Sequence, residues 1–124
     1  MIVSKLFEAA MDLIGERRKD GSFSNNSIYL TARMVAVVNQ VLAELSAANV
    51  VLGGTAFVPV TSTVDTVSLD TRLLYAAAPA GIAAALMLGE DDDRYSFYRL
   101  MFENAVKATL RSEKASVKSI VDVY

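Results

Sequence analysis

The sequence predicts a mainly α-helical domain, a four-helix bundle-like core that carries one extended insertion and a β-prone tail. Three observations predict it. Apolar residues recur at helical spacing in several windows, a sixteen-residue uncharged run is rich in alanine, and β-branched residues concentrate in residues 50–68 and 120–124. With 124 residues the chain is about one domain long. A domain of that size buries roughly two-thirds of the surface its unfolded chain exposes, so one core suffices without staples.

The first helix spans about residues 3–15. Val3, Leu6, Phe7, Ala10, Leu13 and Ile14 fall at helical spacing, and Gly15 stands where a C-cap glycine would. Residues 16–27 are charged and then rich in small turn formers, which reads as an exposed loop. Ser27 is a candidate N-cap for a second helix over 27–47, with Leu30, Met34, Val37, Val38, Val41, Leu42 and Leu45 on one face. From Asn49 to Ser68 the period changes. Val50-Val51-Leu52, Phe57-Val58-Pro59-Val60 and Val64 to Val67, broken by Gly53-Gly54 and Pro59, predict an extended or hairpin insertion over 50–68. That connection is longer than most helix–helix links and too apolar for disorder.

A third helix covers 70–88, capped by Ser68 or Asp70 and kinked or split at Pro79. Gly89 ends it. Asp91, Asp92 and Asp93 then cap a fourth helix over 92–111 and place carboxylates at its positive dipole end. Tyr95, Tyr98, Met101, Phe102, Ala105 and Val106 mark that helix's apolar face. Residues 1–112 therefore form one helical domain including the 49–68 insertion, and 113–124 form an interaction tail.

Composition narrows the function. Hydrophobic residues make up 53% of the chain and the mean hydropathy is +0.35, high for a small soluble monomer. Some apolar surface is expected to face another chain or a membrane. Cysteine and histidine are both absent, which removes disulfides, thiol nucleophiles, soft-metal ligands and the usual base near neutral pH. The net charge is −2, which argues against a broad nucleic-acid-binding face. The uncharged run Leu73 to Leu88 would span about 24 Å as a helix, short of the ~30 Å hydrocarbon core, and its alanine content makes it a core helix rather than a membrane span. The first residues lack the basic cluster of a secretory signal.

No motif predicts catalysis. The aspartates at 91–93 are consecutive, so they point in different directions and suit capping better than calcium. Gly53-Gly54 lacks the spacing of a phosphate loop. The remaining acidic residues are scattered as on solvated helix faces, and neither a cofactor nor a metal is expected. Arg17, Arg18 and Lys19 lie beside Glu16 and Asp20 in a solvated loop, and are the candidate contacts for DNA or an acidic partner. Ile120, Val121, Val123 and Tyr124 have no predicted helix to join and favour adding a strand to a neighbour's edge. The candidate interface set is those four with Val58, Val60, Val64 and Val67 from the insertion.

The order of parts resembles a known family. An opening helix ending Leu13-Ile14-Gly15-Glu16, a second ending Leu42-Ala43-Glu44-Leu45, the Ala78-Pro79-Ala80-Gly81-Ile82-Ala83 segment, an acidic turn, and a last helix with Tyr95, Phe102 and Asn104 are similar to the head–tail connector (portal adaptor) proteins of tailed bacteriophages and prophages. Ala80 stands where that family commonly has an aromatic residue. The resemblance implies a non-enzymatic virion protein assembled in the host cytoplasm. It implies a homo-oligomeric, dodecameric ring beneath the portal protein that meets a tail-side neck or stopper protein. Double-stranded DNA would pass through the ring without specific binding. The apolar surplus also fits a small cytoplasmic helical binding or regulatory module that dimerises, or an enzyme subunit lacking its catalytic partner.

Overall fold

A computed structural model describes residues 1–16, 18–22 and 28–123, without the side chains of Ile28 and residues 115–123. The protein is mainly helical: α1 (Val3–Leu13), α2 (Met34–Val51), α3 (Thr71–Ala76), α4 (Ala78–Met87) and α5 (Asp92–Val123), with a 3₁₀ turn at Ile28–Arg33 leading into α2. Among the described residues there is no β-strand, only an antiparallel bridge between Ile2 and Thr66.

Helix α4 is the centre of the packing and touches α1, α2, α3 and α5. Its sequence, APAGIAAALM, makes that arrangement possible, because small side chains let several helices approach one axis. Every residue from Ala80 to Met87 is buried. At Gly81 an added Cβ would lie 2.8 Å from the Phe102 ring and 3.2 Å from Val41, so the missing side chain is what allows α5 and α2 to close on α4. Phe7, Leu6 and Met11 of α1, Leu45 of α2, Leu73 of α3 and Tyr98 with Phe102 of α5 complete the core.

The helix ends explain where the sequence reading held and where it did not. Helix α1 closes at Gly15 (φ 74°), with Glu16 N–H donating to the Met11 carbonyl at 2.9 Å. Helix α2 continues to Val51, four residues past its predicted end, because nothing stops it before Gly53 (φ 92°). Val50 and Val51 are therefore helical rather than the start of the insertion. The proposed N-cap Ser27 lies outside the described residues. The predicted third helix is two short ones meeting at Ala77, and Pro79 sits in the first turn of α4, where its missing N–H has no intrahelical partner to lose. Asp70 caps α3 by accepting from Arg72 N at 2.9 Å.

Asp91 caps α5 through Arg94 N at 3.1 Å, and Asp92 and Asp93 occupy its first turn. The helix then runs 32 residues to Val123, about 48 Å. A helix ending at 111 and a β-prone tail are corrected here: from Asp92 to Val123 there is neither glycine nor proline, and Glu113, Lys114, Ala115 and Lys118 all favour helix. Leu73 to Leu88, weighed above for membrane crossing, is broken into two helices. The length and apolarity for a span belong instead to the 23 residues Tyr29–Val51, whose most apolar 18-residue window has a mean hydropathy of 1.5 and is 44% buried inside this chain.

Candidate interaction surface

The predicted hairpin insertion is an irregular excursion over residues 52–70, held to α2 by three polar side chains. Asn39 grips Val60 from both sides, Nδ2 donating to its carbonyl and Oδ1 accepting from its N–H, each at 2.8 Å. Ser46 Oγ accepts from Phe57 N at 2.8 Å. Asn49, only 3% exposed, donates to the Thr55 carbonyl at 2.9 Å and accepts from Asp70 N at 2.7 Å. The excursion thus runs antiparallel along α2, residue 55 beside 49 and residue 60 beside 39. Backbone groups that a hairpin would pair with each other are paired with side chains of a helix instead.

Beyond Val60 the chain turns on Asp65. Its Oδ2 accepts from Thr61 N at 2.8 Å, Ser62 N at 3.0 Å and Thr61 Oγ1 at 3.2 Å, and these donors hold the Asp65 carboxyl below its usual range. This turn completes α1, whose first residues have no side-chain cap: Val3 N donates to the Asp65 carbonyl at 3.0 Å and Ser4 N to the Thr63 carbonyl at 2.9 Å. The other end of α1 is satisfied by α5. Tyr98 Oη donates to the Leu13 carbonyl at 2.7 Å, and the Arg94 guanidinium donates to the Ile14 carbonyl.

The predicted interface residues divide. Val58 and Val64 are 64% and 69% exposed and open to a partner, whereas Val60 and Val67 belong to the chain's own core at 7% and 4%. The expectation for Val60 and Val67 is corrected: Asn39 holds Val60 at a fixed register, and Val67 N is anchored to the Met1 carbonyl at 2.9 Å. Ile120, Val121 and Val123 lie on the backbone of α5, but their side chains, and all of Tyr124, are outside the described residues. So is Arg17. Arg18 and Lys19 are exposed in a turn in which Arg18 N donates to the Ser22 carbonyl at 2.7 Å. Asp20 shares that turn, its carboxyl held low first by the Ser22 hydroxyl, so the basic cluster keeps a carboxylate beside it.

Two concavities flank this region. A cleft of about 510 Å³ lies where Asn49, Gly54 and Thr55 meet Ser68 to Asp70. A second, of about 380 Å³, runs between α2 and α5 with Phe102 and Val106 among its lining and Glu44, Arg99, Glu103 and Lys107 on its rim. Arg99 lies over the Phe102 ring at 5.1 Å, reaches Glu44 Oε2 at 2.6 Å and Glu103 Oε1 at 3.2 Å, and is held still more firmly cationic, chiefly by Glu44. Further along α5 Arg72 joins Asp70 (3.0 Å) to Glu113 (2.9 Å), tying α3 to α5. Every buried side-chain nitrogen and oxygen among the described residues has a hydrogen-bond partner. No group of three or more carboxylates among them is placed to hold a metal ion.

Sequence reasoning missed Asn39, Ser46 and Asn49. Their signal is present in retrospect, since they are three polar residues at i, i+7 and i+10 in a helix otherwise short of them. Comparison with protein-family models, with curated proteins and with solved structures returned no match to this chain.

Proposed function

We propose that this chain is a structural assembly protein, a subunit of a homo-oligomeric ring of the head–tail connector kind that its helical order resembles. The observation that carries the reading is exposed apolar surface: Val51, Val58, Val64, Tyr75, Phe97 and Leu100 are each more than half exposed. Phe97 and Leu100 stand three residues apart on one face of α5, and apolar side chains left in water as neighbours in this way offer surface to a partner. Fully burying one such side chain contributes on the order of 1.5–3 kcal/mol, so a few of them per contact can drive association. The polar groups of the excursion meanwhile hold its backbone, which gives a partner a fixed shape to meet.

In this reading the ring sits beneath the portal, lengthens the DNA channel and receives the tail-side neck or stopper protein. The net charge of −2 suits a conduit, because a basic lining would retain DNA through its phosphates. The test is mass in solution by sedimentation velocity, with and without portal protein. A ring-sized species is expected. A monomer at high concentration with portal present overturns the reading, and a stable dimer under the same conditions replaces it with the dimerising binding module.

A further inference from the structure

The excursion divides into two parts that are attached to the body in different ways. From Thr61 to Val67 the chain is built into the start of α1. The Asp65 carboxylate fixes the turn, the Asp65 and Thr63 carbonyls satisfy Val3 and Ser4, and Val67 N is tied to the Met1 carbonyl. From Gly53 to Pro59, by contrast, every residue is exposed, and only Val60 at the end of that stretch is buried. Among the described residues, no backbone N–H or carbonyl from Thr55 to Val60 pairs with another backbone group. The stretch is held instead by α2 side chains, at the Thr55 carbonyl, at Phe57 N, and at both backbone groups of Val60. A segment with little buried apolar area and exposed polar ties opens at a free energy well below that of the whole domain.

We propose that residues 55–60 are a strap that opens as one unit, pivoting between Gly53-Gly54 and the Asp65 turn, while the helices and residues 61–67 stay folded. The structure gives the strap two fixed ends. At the first, Gly53 holds φ 92°, a conformation other residues rarely adopt, and a Cβ on Gly54 would stand 2.5 Å from Asn49 Nδ2. At the second, Thr61 N and Ser62 N belong to the Asp65 carboxylate and are untouched by the strap's release. Asn49 keeps Asp70 N on its Oδ1 when its Nδ2 lets go of Thr55, so the start of α3 also stays in place. The unity comes from Pro59, which fixes its own φ and confines Val58 to extended backbone. Phe57 and Val60 therefore move together. Beneath the strap lies a narrow crevice with Leu42, Ser46 and Asn49 on one wall and Leu69 on another. Closed, the strap withholds that face of α2 from any other chain. Open, it leaves the carboxamides of Asn39 and Asn49 and the Ser46 hydroxyl at the spacing that holds an extended backbone.

The test is native-state hydrogen exchange by NMR on the full chain, under conditions where closing outpaces exchange, read at the Phe57 and Val60 amides. In the wild type the two are expected to share one protection factor, roughly a hundredfold or more below that of the α4 amides. Ser46→Ala removes one tie and no core side chain. The Val60 amide, which keeps its own Asn39 partner, should then exchange about tenfold faster, the worth of one hydrogen bond. Val3, Ser4, Val67 and the α4 amides should keep their rates. Asn39→Ala, read at Phe57, is expected to show the same coupling in reverse, and circular dichroism checks that both variants keep their helices. A Val60 amide indifferent to Ser46→Ala means that the ties release one by one and overturns the strap. Acceleration of Val67 in step with Val60 overturns it too, since the whole excursion would then be the opening unit. So does a wild type in which Phe57 and Val60 exchange only at the α4 rate, through global unfolding.

Discussion

At the scale of single residues, the approach of α5 to α4 depends on an atom that is missing. Gly81 faces the Phe102 ring, and a methyl group there would come within 2.8 Å of it. Gly81→Ala raises intrinsic helix propensity yet forces the ring or α5 to move, and overpacking of this kind destabilises by about 1–3 kcal/mol. Urea unfolding should therefore show a lower midpoint for Gly81→Ala, against the gain expected for an unpacked helical glycine. Asp65 gives a residue-scale pH dependence. Its donors exist only in the folded chain and hold its carboxyl below the ordinary value, so its contribution is complete above the unfolded pKa of about 3.9 and is lost as pH falls through the lower folded value. Asp70 behaves alike, held low chiefly by Arg72. Stability measured at pH 7 and near pH 3 should fall for the wild type and fall less for Asp65→Asn. An identical fall in both would remove Asp65 from the account.

At the scale of elements, helix positions were readable because periodic apolar residues announce a buried face whatever that face meets. Helix ends were readable only where a residue forces them. Gly15, Asp70 and Asp91 mark ends by backbone freedom or by capping, and the structure uses each of them. The ends of α2 and α5 carried no such mark at the predicted positions, and the helices ran on to Val51 and Val123. The excursion was legible as non-helical, but its partner was not. β-branched residues suggested strand pairing, whereas its backbone is satisfied by Asn39, Ser46 and Asn49, residues whose role depends on what lies 6 to 21 positions away. Asn39→Ala leaves both backbone groups of Val60 without their partner, a loss of about 1–3 kcal/mol. Limited proteolysis should then cut within residues 54–60 faster than in the wild type, while helix content by circular dichroism stays near its original value. Unchanged cutting would show that the core side chains of the excursion hold it unaided.

At the scale of the whole molecule, the described core ends near Thr109, and the Arg72–Glu113 pair ties α5 to the body just beyond it. Removing residues 120–124 is therefore expected to leave thermal stability nearly unchanged while weakening ring formation or portal docking in sedimentation experiments. Normal assembly of the truncated chain would exclude those residues from the interface. By itself the sequence determined that the protein is mainly helical, roughly where its helices lie, that the third is interrupted near Pro79, and that apolar residues are plentiful for one small core. These properties follow from local periodicity, capping and composition, which require no knowledge of what packs where. Only the tertiary structure decided which valines are core and which are surface. Val58 and Val60 are two residues apart and chemically identical, yet one is 64% exposed and the other 7%. The difference lies in Asn39, on a separate element, and burial is settled by such distant partners rather than by the residue itself.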